Sequence, residues 1–124
     1  MASSATGDQP QPLTETCTKT GLLAHLRGLE RQLYSQEVVA KVKQQPKDQQ
    51  LAFAQARLHL TDVIAKLNAS LMREIREKLE AQSTELQEGI DRLSSSLGKL
   101  EGAVSWASAV NSVIGTLGKI IPLL

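Results

Sequence analysis

The sequence predicts an all-α protein: an elongated helical bundle or coiled-coil-like hairpin behind a mobile N-terminal arm. Apolar residues recur at steps of three and four from Leu22 nearly to the C-terminus, the period of a helix that buries one face. Only Tyr34, Phe53 and Trp106 are aromatic, so a core must be built from Leu, Ile, Val and Ala, which suits helix-on-helix packing better than a sheet. The chain has 124 residues, enough for one domain. A compact chain of that size buries roughly two-thirds of its unfolded surface.

Residues 1–17, MASSATGDQPQPLTETC, are rich in Ser, Thr, Gln and Pro and almost free of large apolar groups, the composition of a mobile arm. The stretch has neither the basic nor the apolar region of a secretory signal. A cytoplasmic location is therefore expected, with export without a cleaved signal, or a peripheral membrane location, as the alternatives. Cys17 is the single cysteine, so no intrachain disulfide framework exists.

Residues 18–124 read as a single helical domain with helices at about 20–45, 47–93 and 102–121. In the first, Leu22, Leu26, Leu29 and Leu33 form the stripe and Val38 and Val42 extend it. Thr18 or Thr20 is placed to cap its start. Pro46 ends it, because the residue before proline is pushed out of helical geometry, and can itself open the next helix. The second helix carries Leu60, Ile64, Leu67, Leu71, Ile75, Leu79 and Leu86, with Phe53, Ala56, Val63 and Met72 widening the stripe. No glycine or proline falls between Pro46 and Gly89, so an uninterrupted rod is expected, about 54 Å long if it runs from Lys47 to Gln82.

Beyond Ser83 the stripe continues in phase through Leu86, Ile90, Leu93, Leu97, Leu100 and Val104, which is heptad spacing. Two places invite a break. Thr84 and Gln87 have capping-box spacing, and LSSSLGKLEG, from Leu93 to Gly102, concentrates serines and glycines. A hinge between Ser94 and Gly102 is the favoured reading. A continuous helix to about Lys119 is the alternative and would demand a partner for its exposed stripe.

The composition excludes several classes of function. Fourteen basic and thirteen acidic residues leave a net charge of +1, without the basic face by which nucleic-acid binders release counterions from phosphate. No phosphate loop, dinucleotide fingerprint or nucleophile elbow occurs. His25 and His59 lack metal-ligand spacing, so no metal and no cofactor is expected. Cys17 has no local histidine to activate it. Most charged residues are explained by helix-supporting pairs with acid four residues before base: Glu37 with Lys41, Asp62 with Lys66, Glu74 with Lys78 and Glu88 with Arg92.

The segment from Gly102 to Leu124 holds one charge, Lys119. Val104, Trp106, Val110, Val113, Ile114, Leu117, Ile120 and Ile121 make a wide apolar sector, opposite Ser105, Ser108, Ser112, Gly115, Thr116 and Lys119. Three environments hide that sector from water. It folds back as a member of the bundle; it pairs with tails of other chains, Asn111 fixing register on the heptad seam; or it lies in a lipid surface as an amphipathic helix. A transmembrane span is doubtful, since its length is reached only by counting Ser, Thr, Asn111 and Lys119.

These patterns point first to a non-enzymatic helical interaction module, an adaptor, chaperone-like or structural subunit, that self-associates or binds a protein partner, with a homo-oligomer expected. The residues assigned to contact are Leu86, Ile90, Leu93, Leu97, Leu100, Val104, Trp106, Val110, Ile114, Leu117 and Ile121. A membrane-active exported protein whose helix from Ala103 to Leu124 enters a bilayer is the alternative. A small helical enzyme is the third class and has the least support, having no paired acid and base in the sequence.

Overall fold

A computed structural model describes residues 18–121, which form five α-helices and, among the described residues, no strand. They are α1 (Lys19–Leu33), α2 (Gln36–Lys43), α3 (Lys47–Ala69), α4 (Met72–Gly98) and α5 (Ala103–Leu117). The expected arm at 1–17, with Cys17, lies outside the described residues.

Each boundary has a local cause. Thr18 caps α1, its hydroxyl accepting from the Gly21 amide at 3.1 Å. The first expected helix is divided at Tyr34 and Ser35, where Ser35 caps α2 by accepting from Val38 N at 3.4 Å. Pro46 stands at the N-cap of α3, one residue outside the position expected for it. The expected rod from 47 to 93 is divided as well: Ser70 and Leu71 are extended, with ψ of 146° and 134°. Ser70 Oγ donates to the Lys66 carbonyl at 3.0 Å, a side-chain bond that competes with continued helix. Lys19 then donates Nζ to the Ser70 carbonyl at 2.6 Å, placing a cation where α3 leaves carbonyls unpaired. The hinge expected between Ser94 and Gly102 is the α4–α5 turn.

α1, α3, α4 and α5 form a four-helix bundle, and α2 is a short flap on α1 and α3. α1 and α5 each touch both α3 and α4, whereas α3 and α4 barely meet, so these consecutive helices sit on a diagonal. Directions follow from the long-range bonds. Leu33 meets Arg57 and Lys19 meets Ser70, making α1 and α3 antiparallel. Glu85 meets Lys119 and Arg92 meets Ser112, making α4 and α5 antiparallel.

One apolar core runs through the bundle. Its centre holds Phe53 of α3 and Trp106 of α5, both almost fully buried, with ring centroids 5.8 Å apart and planes tilted by 57°. The indole N–H would be costly to bury unpaired, and it donates to the Ser96 carbonyl of α4 at 3.0 Å. At one end of the bundle Arg57 lies 4.1 Å over the Tyr34 ring and donates to the Leu33 carbonyl at 3.2 Å. It thereby joins a cation–π contact to a C-terminal cap of α1.

Candidate association surface

The residues assigned from sequence to contact are brought together, but mostly inside the bundle. Leu86, Ile90, Leu93 and Leu97 of α4 face Trp106, Val110, Ile114 and Leu117 of α5, and Ile121 follows; all nine are at most 5% exposed. They form the seam that holds α5 in place. Leu100 and Val104 are 40% and 58% exposed. Heptad spacing carries the stripe across the α4–α5 turn to these two, but α5 begins anew after Gly102, and Val104, two residues or about 200° around the helix from the buried Trp106, lies on its outer side. Thr116, assigned to the polar sector, is buried. Its hydroxyl bonds to the Glu85 carboxylate at 3.2 Å and to the Ser112 carbonyl at 3.3 Å.

Two surface hollows have an acid, an imidazole and a hydroxyl in their lining: Asp91, His25 and Ser94 between α1 and α4, and Asp62, His59 and Thr61 along α3. The Asp91 carboxylate accepts from Gln87 Nε2 at 2.8 Å, and the Thr61 hydroxyl donates to Glu30. The groove of about 590 Å³ between α4 and α5 is lined by Arg92, Lys99, Glu101 and several serines. Its polar groups bond to one another: Ser96 Oγ donates to Glu101 at 2.8 Å, and Arg92 reaches Ser112 at 3.5 Å. Among the described residues no three of His, Cys, Asp and Glu stand close enough to hold a metal ion. Nor, among them, is any helix long and apolar enough to cross a membrane.

The surface that stands out belongs to α3. Its inner side, Phe53, Ala56, Leu60, Val63, Ile64 and Leu67, is buried against α1 and α5. About 180° around the same helix runs a second stripe: Lys47, Leu51, Gln55, Leu58, Asp62, Ala65 and Ala69, with Ala54 beside it. Every member is exposed, Leu51 by 60% and Leu58 by 68%. An open groove of about 560 Å³ lies along it, bounded by Gln55, Leu58, His59, Thr61, Asp62 and Ala65.

The framework below this stripe is fixed at several points. Thr61 donates to the Glu30 carboxylate of α1. Arg57 reaches Leu33 as described, and Asp62 pairs with Lys66 at 3.5 Å along the helix, one of the four pairs expected from sequence. The side chains of the stripe therefore stand on a rigid rod of 23 residues, about 34 Å long.

This face is hard to see in the sequence because Lys47, Gln55 and Asp62 interrupt it, whereas the inner stripe of α3 is unbroken. The signal was present: Lys47, Leu58 and Ala69 are eleven apart, as are Leu51 and Asp62, a spacing that stays on one side of an unstrained helix. No protein-family model matches the chain, and neither a curated protein nor a solved structure is similar to it.

Proposed function

We propose that this chain is a non-enzymatic helical interaction module and that it associates with protein through the outward face of α3. One observation carries the reading. On the side of α3 away from the core two large leucines, Leu51 and Leu58, stand exposed with Ala54, Ala65 and Ala69 among Lys47, Gln55 and Asp62, and the bundle covers none of them. A helix serving its own core alone keeps polar groups on its outer side. Large apolar residues aligned on an exposed face, bounded here by Lys47 and Asp62, mark a place where another protein sits. Leucines spaced seven apart on a rigid rod match the side of a second helix.

The test uses the full chain with a photoreactive amino acid in place of Gln55. Irradiation in a native extract is expected to give a discrete adduct, identified by mass spectrometry and reproduced with the two purified proteins. The adduct should vanish with Leu51→Glu/Leu58→Glu. The absence of any adduct from Gln55, or an adduct indifferent to the two substitutions, would remove the reading.

A second reading, entry of α5 into lipid after the bundle opens, has one observation in its favour: from Ala103 to Leu117 the helix carries no charge. It would require Trp106 to leave a site where it is 0% exposed and hydrogen-bonded. The emission of this sole tryptophan is expected to be blue already and unchanged by neutral phosphatidylcholine vesicles. A shift on adding vesicles would favour the lipid reading.

A further inference from the structure

The outer stripe of α3 has an order that a helical wheel alone hides. From N- to C-terminus it reads cation, leucine, an Ala–Gln centre, leucine, anion: Lys47, Leu51, Ala54 with Gln55, Leu58, Asp62. Reversed, the apolar part is the same and the charges are exchanged. A stripe of that kind is complementary to itself when two copies lie antiparallel, and only then.

We propose that the occupant of this face is a second copy of the chain, the two α3 helices crossing antiparallel about a twofold axis between Ala54 and Gln55. The proposal rests on the association reading above and names its partner. In this register Leu58 packs on the partner's Leu51 and Leu51 on the partner's Leu58. Each Gln55 lies against the partner's Ala54, whose small side chain lets the backbones approach. Lys47 comes opposite the partner's Asp62, twice by symmetry. A parallel pairing would set Lys47 against Lys47 and Asp62 against Asp62, which like-charge repulsion disfavours. The contact is isologous, so it closes as a dimer and does not propagate into a filament.

Neighbouring elements leave room for it. α3 touches α1 and α5 on its inner flanks and the short α2 on a third side, where Val39, Val42 and Lys43 of α2 line a hollow with Gln50, Ala54 and Arg57, and Leu51, Ala54, Gln55, Leu58 and Asp62 remain exposed beside it. The paired stretch from Lys47 to Asp62 is about 24 Å long. A single helix pair of that length falls below the roughly 1,200 Å² that separates small interfaces from standard ones, so association in the micromolar range is expected. Asp62 already holds Lys66 at 3.5 Å, but an exposed pair within one helix is weak and leaves the carboxylate open to a second cation.

Sedimentation velocity of the purified full chain over about three decades of concentration tests this. The wild type is expected to pass from monomer to dimer, and Leu58→Glu to remain monomeric with an unchanged circular dichroism spectrum. Lys47→Glu and Asp62→Lys should each weaken the dimer by about tenfold, because each reversal replaces two attractions by two repulsions. Lys47→Glu/Asp62→Lys together should restore it to within about threefold of wild type, since the pairs re-form with exchanged signs. The Leu58→Glu chain shares the exposed site, so retention of its spectrum separates lost association from lost folding. A wild type that stays monomeric, a dimer that tolerates Leu58→Glu, or a double variant no tighter than the singles would each overturn the proposal. With a monomeric wild type, a Gln55 adduct to a different protein would keep the association face and replace its occupant. No adduct at all would remove both.

Discussion

Leu100 has φ of 52°, the left-handed conformation that costs an L residue other than glycine roughly 1–2 kcal/mol. The backbone bonds show why it is there. Leu100 N donates to the Leu97 carbonyl at 3.2 Å and Glu101 N to the Ser96 carbonyl at 3.2 Å, the paired bonds of a Schellman ending in which the left-handed residue is usually glycine. Two residues on, Gly102 takes φ of 126°, and a β-carbon there would stand 2.8 Å from Gln45 Oε1. That oxygen accepts from the Ala103 amide at 2.7 Å, so a residue from the α2–α3 connection caps α5, whose own N-cap has no side chain to do so. Leu100→Gly is therefore expected to stabilise the chain by about 0.5–1 kcal/mol, the relief of left-handed strain less the entropy glycine adds to the unfolded state. Gln45→Ala should cost about 1 kcal/mol. Urea unfolding followed at Trp106 measures both, and equal midpoints for the two variants would mean the turn is not held in this way. Little of this was legible beforehand: LGKLEG announced a turn, but a cap supplied from 58 residues away leaves no local trace.

At the scale of helices, the pattern of leucines told truly which residues are apolar in α4 and α5, and less well what they face. In sequence the stripe crosses both Ser70 and the α4–α5 turn in phase; the serines and glycines between Ser94 and Gly102 still mark the second break, whereas periodicity alone reads through the first. Asn68 and Ser70, poor helix formers, were the faint marks of the first. What ends the rod there is tertiary: α1 supplies Lys19 to the exposed carbonyl, and the folded-back stripe finds α5 as its cover. The closeness of α4 and α5 shows at Gly89, where an added β-carbon would lie 3.3 Å from Val113 Cγ2, whereas at Gly115 it would meet nothing within 4 Å. Gly89→Val should destabilise by about 1–3 kcal/mol through overpacking of that seam. Gly115→Ala, on the open side of α5, should gain up to about 1 kcal/mol from helix propensity. The same urea titration distinguishes them, and a harmless valine at position 89 would show that the two helices stand farther apart.

For the molecule as a whole, the apolar residues from Trp106 of α5 through Ile121 are buried by the chain itself, and the exposed leucines of α3 lie on a side that its strong inner stripe masked. This division makes a prediction about two neighbouring positions of α5. Ile114 is 5% exposed in the common core, and Ser112 faces out with its hydroxyl 3.5 Å from Arg92. A charge at the first must either be desolvated or pull α5 off the bundle. Burying a lone carboxylate costs several kcal/mol, a large part of the roughly 5–15 kcal/mol by which a domain of this size is stable. At the second, a carboxylate meets water and an arginine, so the change should stay within about 0.5 kcal/mol. Ile114→Asp is thus expected to unfold much of the population, with helical circular dichroism and the Trp106 signal lost together because one core serves all four long helices. Ser112→Asp should melt like the wild type. Were Ile114→Asp to free Trp106 to solvent while helicity persisted, α5 would be a detachable element on a core that stands without it, and its uncharged surface would regain a claim to lipid or to another chain.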